Sequence, residues 1–337
     1  MIGKNCVEYP IDIVITWVDG NDPKWIEEKN KYKPNKNNSN NRYRDWELLK
    51  YWFRSIEKNE SWVNKIYFVT YGHYPKWLNL SCEKLVIVKH EDYLNKEWLP
   101  TFNARTINLN FNKIKELSEH FVYFDDDMFL LKPVKRDFFF KQGKPCLLPL
   151  LKSILPADDE TFFTALFNNT YLINKSFDFQ KSLGDNKTKW FSISKLGLKN
   201  VIINLFNSKY SYFPGFGDDH LPVPMKKSTL NEVWNTYGKM LENSSEKKFR
   251  TANDLNQFIF RYWQLAKGDF EPKNTYKTGK YLEITDDSYI EVCDYIQQRK
   301  KTLICINDEC ENDSEIIKEK LQISFESLFP EKSKFEV

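Results

Sequence analysis

The sequence lacks an excess of either charge: 50 Lys and Arg stand against 47 Asp and Glu, a formal net charge of +3 over 337 residues. That balance gives no support to a nucleic-acid polyanion as partner and leaves room only for local basic patches. It also lacks a membrane span, because no window approaches the roughly 18 uninterrupted apolar residues that a crossing helix needs. No secretory signal opens the chain; the first apolar run, Ile11 to Val18, holds Asp12 and reads as a strand. The six cysteines, at 6, 82, 146, 293, 305 and 310, form no CxxC pair, and Cys305 and Cys310 have no His-rich partner segment. Reduced thiols are therefore expected rather than a zinc site. There is no internal repeat. These absences lead to the expectation of a cytoplasmic protein.

Aromatic residues are plentiful instead. With 26 Phe, 18 Tyr, 10 Trp and 41% hydrophobic residues, the chain can build a substantial core and is not a disordered composition. Its patterns alternate. Short apolar runs at Ile11–Val18, Lys65–Thr70, Lys84–Lys89 and Phe121–Phe124 read as strands, the first ending in the turn-prone Asp19-Gly20. Between them, Trp46, Leu49, Phe53 and Ile56 recur at helical spacing after an Asn/Lys-rich loop at 30–41. A second helix is expected over Thr101–Leu117, with Ile107, Phe111, Ile114 and Leu117 on one stripe.

Beyond these, 137–215 reads as a less regular insertion or lid-like subdomain. From Lys226 the pattern turns helical, a strand is expected at Lys301–Ile306, and a final amphipathic helix at Glu315–Leu328. Such β-α-β alternation predicts an α/β fold with a largely parallel sheet. The expected division is 1–136 as a nucleotide-sugar-binding half, 137–215 as the insertion, and 216–337 as the rest of the catalytic domain.

The stretch FVYFDDDMFLLKP sets Asp125, Asp126 and Asp127 between two apolar runs. Side chains alternate along a strand, so three consecutive acids cannot share one face, and an unpaired buried carboxylate is costly. The strand must end there and hand its acids to a loop. In parallel sheets, ligands gather at such carboxyl ends, and Mg²⁺ commonly takes carboxylates together with substrate phosphates. A solvated acidic loop is the plainer alternative on pattern alone.

Longer motifs narrow the choice. IDIVITWVDGNDPKW (11–25) resembles the first block of the Stealth proteins. These are hexose-1-phosphate transferases of bacterial capsule synthesis and the animal GlcNAc-1-phosphotransferase. RYRDWELLKYWFRSIEKNESWVNKIYFVTYGHYPKWL, LPTFNARTIN and LSEHFVYFDDDMFLLKP resemble the second block. HLPVPMKKS with FRTANDLNQF resembles the third, and LICINDE the fourth.

The resemblance implies a glycosyltransferase-A-like nucleotide-binding core. It implies transfer of sugar-1-phosphate from a UDP-hexose or UDP-N-acetylhexosamine to a glycan hydroxyl, with release of UMP. Thr16, Trp17, Val18, Asp19 and Gly20 would help hold the donor, together with Asn108 and Asn307. Asp127, His220 and Arg250 would be catalytic, with His220 as base and Arg250 on phosphate. Asp126, Asp127 and Asp308 would hold Mg²⁺ or Mn²⁺.

The acceptor is expected to be a lipid-linked glycan at the inner face of the cytoplasmic membrane. Peripheral contact is expected there, with the Lys- and aromatic-rich segment Lys132–Lys144 as one candidate and a lid or core role for that segment as the equal alternative. One departure stands out. The family usually has a glutamate at the position of Asn108 and an asparagine at the position of Asp125, so one carboxylate is lost and another gained.

Overall fold

The computed structural model describes residues 9–32, 43–155, 162–312 and 315–337. Its centre is a five-stranded sheet of β1 (Ile11–Trp17), β2 (Ile66–Thr70), β3 (Leu85–Lys89), β4 (His120–Phe124) and β8 (Val223–Lys226). The strand order is β3-β2-β1-β4-β8. The first four strands are parallel and β8 runs antiparallel against β4. The mixed α/β class with a largely parallel sheet is thus as the alternation implied.

Strand periodicity divides the core in two. Ile13, Ile15, Phe68, Val122 and Phe124 face one apolar layer. Val14, Tyr67, Val69, Phe121 and Tyr123 face the other. The first layer is closed by the helices Leu49–Asn59, Tyr289–Gln297 and Glu315–Leu328. The second is closed by Phe162–Ser176, Lys227–Ser245 and Phe258–Lys267. Asp12, fully buried in β1, is tolerated because it accepts from Asn64 Nδ2 at 2.8 Å, Lys65 N at 3.2 Å and Ser118 N at 2.8 Å.

Two smaller sheets complete the frame. β5 (Met128–Leu130) leaves the central sheet and pairs antiparallel with β11 (Leu303–Asp308), which pairs in parallel with β10 (Gly279–Ile284). β6 (Phe140–Lys141), β7 (Lys144–Leu147) and β9 (Glu271–Pro272) form the other.

Several local expectations change. The helix expected over 101–117 is only Ala104–Leu109, followed by a 3-10 turn at Phe111–Lys113. Asn103 caps its start by accepting from Arg105 N, and the Asn110 side chain turns back onto Thr106 O, so local amide chemistry ends the helix early. The first helix, Pro23–Tyr32, runs into the expected 30–41 loop, whose residues 33–41 lie outside the described ones, as does Cys6. Segment 137–215 is more regular than expected: the described part holds five helices, and Leu166, Leu172, Phe179 and Trp190 share the second layer with the sheet. In the Lys132–Lys144 segment, Phe139 and Phe140 are buried in the first layer, which is the core role of the two alternatives.

Candidate active site

β4 ends at Phe124, and the chain turns through Asp125–Asp127 before β5 departs for the other sheet. The turn is closed by Met128 N donating to Asp125 O at 3.2 Å. Ile306 N donates to Asp127 O at 3.0 Å, so β11 fixes the backbone that carries the acid. The three carboxylates stand at the carboxyl end of a strand bordering the central β1.

They open on a cleft of about 1840 Å³. Its wall includes Thr16, Trp17 and Val18 from the end of β1, and Asn108 from the short helix. His220, Arg250, and the adjacent Asn307 and Asp308 reach it from three further stretches of chain. Asp19 and Gly20 are not part of the wall. Asp19 N donates to His73 Nε2 at 2.8 Å, while a side chain at Gly20 would lie 2.0 Å from Tyr43 O, so glycine allows that close approach.

Asp127 is the least satisfied of the acids. Its Oδ2 accepts from Cys305 Sγ at 3.2 Å, and its Oδ1 is buried without a partner among the described residues. Burial pushes its carboxyl up to about 6; Asp125 adds repulsion and His220 pulls the other way. Asp126 is exposed to the cleft, yet the surrounding protein and the neighbouring Asp127, Asp45 and Asp125 raise its carboxyl. Burial, and then Asp127, raise the Cys305 thiol, which therefore stays protonated and donates. Candidate ligand atoms of Asp127, His220 and Cys305 lie within 4.8 Å of one another.

Asp308 is held differently. Its oxygens accept from Arg44 Nη1 at 3.1 and 3.0 Å, and Oδ1 also accepts from Cys310 N at 3.0 Å. Burial raises its carboxyl, with Cys310 and Arg44 opposing. Asn307 Nδ2 donates to Glu309 Oε1 at 2.6 Å.

His220 and Arg250 each sit on a loop pinned by a buried ion pair. His220 adopts φ +45°, a left-handed conformation costing about 1–2 kcal/mol in a residue with a Cβ. Its N–H donates to Asp218 Oδ1 at 3.0 Å. Arg261 Nη1 reaches Asp218 Oδ1 at 3.2 Å and Asp219 Oδ1 at 3.3 Å, and Nη2 donates to Gly217 O at 2.9 Å. Burial disfavours the Arg261 charge, and Asp218 and Asp219 more than restore it. The His220 ring meets Tyr281 edge-on, with centroids 5.4 Å apart. Beside the exposed Arg250, Thr251 N and Oγ1 donate to Asp254 at 2.8 and 2.6 Å. Asp254 pairs with Arg105 Nη1 at 3.2 Å.

Sequence reasoning did not single out Cys305, Tyr123, Arg44 or Arg261. Cys305 was visible inside LICINDE as the inward neighbour of the expected Asn307-Asp308 site. The acids at 218 and 219 beside His220 were the visible half of the Arg261 clamp. Nothing in the sequence marked Arg261 itself, a basic residue among the aromatics of its helix.

Comparison with known proteins gives four matches in chain order. They are Stealth protein conserved region 1 over residues 9–37, region 2 over 42–147, region 3 over 219–263 and region 4 over 294–337. The chain is 42% identical to the capsular polysaccharide phosphotransferase WcwK of Streptococcus pneumoniae, over 97% of this chain and 98% of that protein. It is 36% identical to the receptor polysaccharide phosphotransferase WefC of Streptococcus oralis, over 97% and 99%. Among solved structures, the galactosyltransferase LgtC in complex with donor and acceptor sugar analogues is similar at a TM-score of 0.36 and 8% identity, over 96% of this chain and 98% of that one.

Proposed function

We infer the reaction from one premise: the chain belongs to the Stealth family. It is a phosphotransferase of polysaccharide synthesis, moving sugar phosphate to a glycan. The donor is a UDP-hexose or UDP-N-acetylhexosamine, and the acceptor is a hydroxyl of a lipid-linked glycan met at the cytoplasmic face of the membrane. The observation that carries this reading is that Asp127, His220 and Arg250, distant in sequence, border one cleft.

The acceptor oxygen attacks the phosphorus that bears the sugar. The new oxygen–phosphorus bond forms as the pyrophosphate bond to UMP breaks, so the sugar keeps its anomeric bond and the product is a phosphodiester. His220 takes the proton from the acceptor hydroxyl. Its backbone, fixed by Asp218 and Arg261, keeps the imidazole from drifting in a wide cleft. Arg250 offers a guanidinium fork to phosphoryl oxygens and favours the more charged transition state. Thr16, Trp17 and Val18 line the donor side with Asn108 and Asn307; Asp19 and Gly20 support that segment from behind the wall.

The donor set suits a hard divalent ion, Mg²⁺ or Mn²⁺. Asp127 Oδ1 is buried without a partner and Asp126 is exposed beside it, both oxygen donors of the type such ions take. Asp126 and Asp127 would hold the ion, and Asp308 reaches it only after Arg44 gives up one oxygen. When bound, the ion neutralises pyrophosphate charge. Cys305 keeps its proton and serves to orient Asp127.

The test is the nucleotide product. Incubation with a panel of UDP-hexoses and glycan acceptors, followed by mass spectrometry, should yield UMP and a sugar–phosphate–glycan diester. Release of UDP with a plain glycoside would overturn the reading in favour of a conventional glycosyltransferase.

A further inference from the structure

The helix Leu198–Asn207 buries Asn200, Val201 and Asn204 and turns a second apolar face outward. Asn200 and Asn204 are buried, whereas Leu198, Ile202, Leu205 and Phe206 are 60%, 42%, 51% and 71% exposed. The inward amides have an evident task. Asn204 Oδ1 accepts from Leu151 N at 2.8 Å, and its Nδ2 donates to Pro149 O and Trp190 O, each at 2.8 Å. They satisfy irregular backbone that no sheet covers. The outward residues have no such account. They fall at i, i+4, i+7 and i+8, which is one continuous helix face. Ile193 before the helix, and Tyr210 and Tyr212 after it, are exposed as well.

The charge along this stretch of chain is of one sign, although Lys195 is paired with Glu271 at 3.5 Å. Between Asp185 and Asp218 the chain carries Lys187, Lys189, Lys195, Lys199 and Lys209 and no carboxylate. Lys199 lies one turn from Ile202 and two from Phe206, on the outward side, and Lys209 one turn beyond Phe206. Lys187, Lys199 and Lys209 are exposed. A large apolar face in a rim of lysines fits an anionic lipid surface, which accepts the apolar side chains below its headgroups and pairs the ammonium groups at them. A second copy fits poorly, because a symmetric contact would set lysines against lysines.

We propose that the outward face of Leu198–Asn207, with Lys199 and Lys209, docks the protein peripherally on an anionic membrane. The face lies outside the cleft wall, so the proposal stands independently of the reaction. It assigns the membrane contact to a surface other than the Lys132–Lys144 segment, whose Phe139 and Phe140 are committed to the core.

Vesicle flotation tests it, with vesicles of phosphatidylcholine alone or mixed equally with phosphatidylglycerol. The full-length protein should float with the mixed vesicles, weakly or not with the neutral ones, and less as salt rises. The pair Ile202→Glu and Phe206→Glu should lower the bound fraction by about tenfold or more. Lys199→Gln and Lys209→Gln should each lower it roughly fivefold. All four side chains are exposed, so circular dichroism and turnover of a soluble acceptor should stay at wild-type levels. Wild-type protein that remains in the lipid-free fraction overturns the proposal, as does unchanged flotation of the double-Glu variant. So does sedimentation velocity revealing a dimer that Phe206→Glu dissolves, since the face would then belong to a second copy.

Discussion

Asn108 and Asp125 meet on a single oxygen, the hydroxyl of Tyr123. Asn108 Nδ2 donates to it at 2.8 Å, and the hydroxyl donates its own proton to Asp125 Oδ1. These are the two positions at which the resemblance leads to the expectation of a glutamate and an asparagine instead. A hydroxyl has one proton to give, so it can satisfy one carboxylate here and needs a donor on its other side. If the expected pattern holds, the two differences are linked through the one hydroxyl of Tyr123.

Asn108→Glu should therefore fail alone, because it sets a second carboxylate against a proton already committed to Asp125. The expected loss in kcat is about tenfold or more, at 1–3 kcal/mol for an unpaired buried polar group. Asn108→Glu with Asp125→Asn should recover most of it. A double-mutant cycle on kcat and on urea stability measures the coupling, expected at about 1–3 kcal/mol; strict additivity would count against the link.

For the proposed chemistry, His220→Ala should lower kcat by about 10²–10⁴-fold with donor binding little changed. Arg250→Ala should lower kcat by about 10²–10³-fold and weaken donor binding, with Arg250→Lys recovering part. Isothermal titration with UDP-sugar separates the two effects. A folded His220→Ala protein with wild-type kcat at every pH would remove the base assignment.

Arg261 is a positioning residue rather than one that touches substrate. Arg261→Ala leaves Asp218 and Asp219 without their cation and should destabilise the fold by about 3–5 kcal/mol. Arg261→Lys keeps the charge but not the fork, so it should retain the fold while lowering kcat more than it raises KM. If Arg261→Lys changes only the melting temperature, Arg261 is structural and His220 needs no such clamp.

Activity should be lost on exhaustive EDTA treatment and return with Mg²⁺ or Mn²⁺, and Asp127→Asn should nearly abolish it even with the ion in excess. Full turnover after chelation, checked by elemental analysis of the treated protein, would dismiss the ion.

Glu60 sets a pH dependence outside the site. It is buried, neither carboxylate oxygen has a partner among the described residues, and burial pushes its pKa up to about 8. The folded chain keeps this proton up to that pH, whereas the unfolded chain loses it near 4.5. Stability should fall as pH rises between those values, by roughly 3–5 kcal/mol in total. Glu60→Gln should remove that slope, so urea unfolding of both proteins at about pH 5 and about pH 9 should separate them only at the higher value. An equal difference at both would mean that Glu60 finds a partner.

Much of the sheet was readable because its strands are short apolar runs with turn residues at their ends, as in ITWVDG, where Asp19 and Gly20 close β1. The acids at 125–127 announced a strand end for the reason that three adjacent carboxylates fit no single face. What stayed hidden depends on partners far along the chain. Arg44 and Asp308 are 264 residues apart, and Cys305 and Asp127 are 178 apart. The stretch around Asn200 and Asn204 reads as irregular because apolar residues occur on both sides of its helix, with the two amides buried beside Val201. For Lys132–Lys144 the sequence leaves surface and core open, and the rings of Phe139 and Phe140 pack into the first core layer.

The pairing of β5 with β11 ties Asp127 to a strand made almost two hundred residues later. A ribosome that has released the first half of this chain has already delivered every residue of the acidic turn, but not Ile306, whose N–H holds the Asp127 carbonyl, nor Cys305 beneath its carboxylate. The centre is therefore finished only once β11 has been made and paired, by a long-range closure of the slow kind. A chain lacking β11 holds the acidic turn without either of these contacts to Asp127.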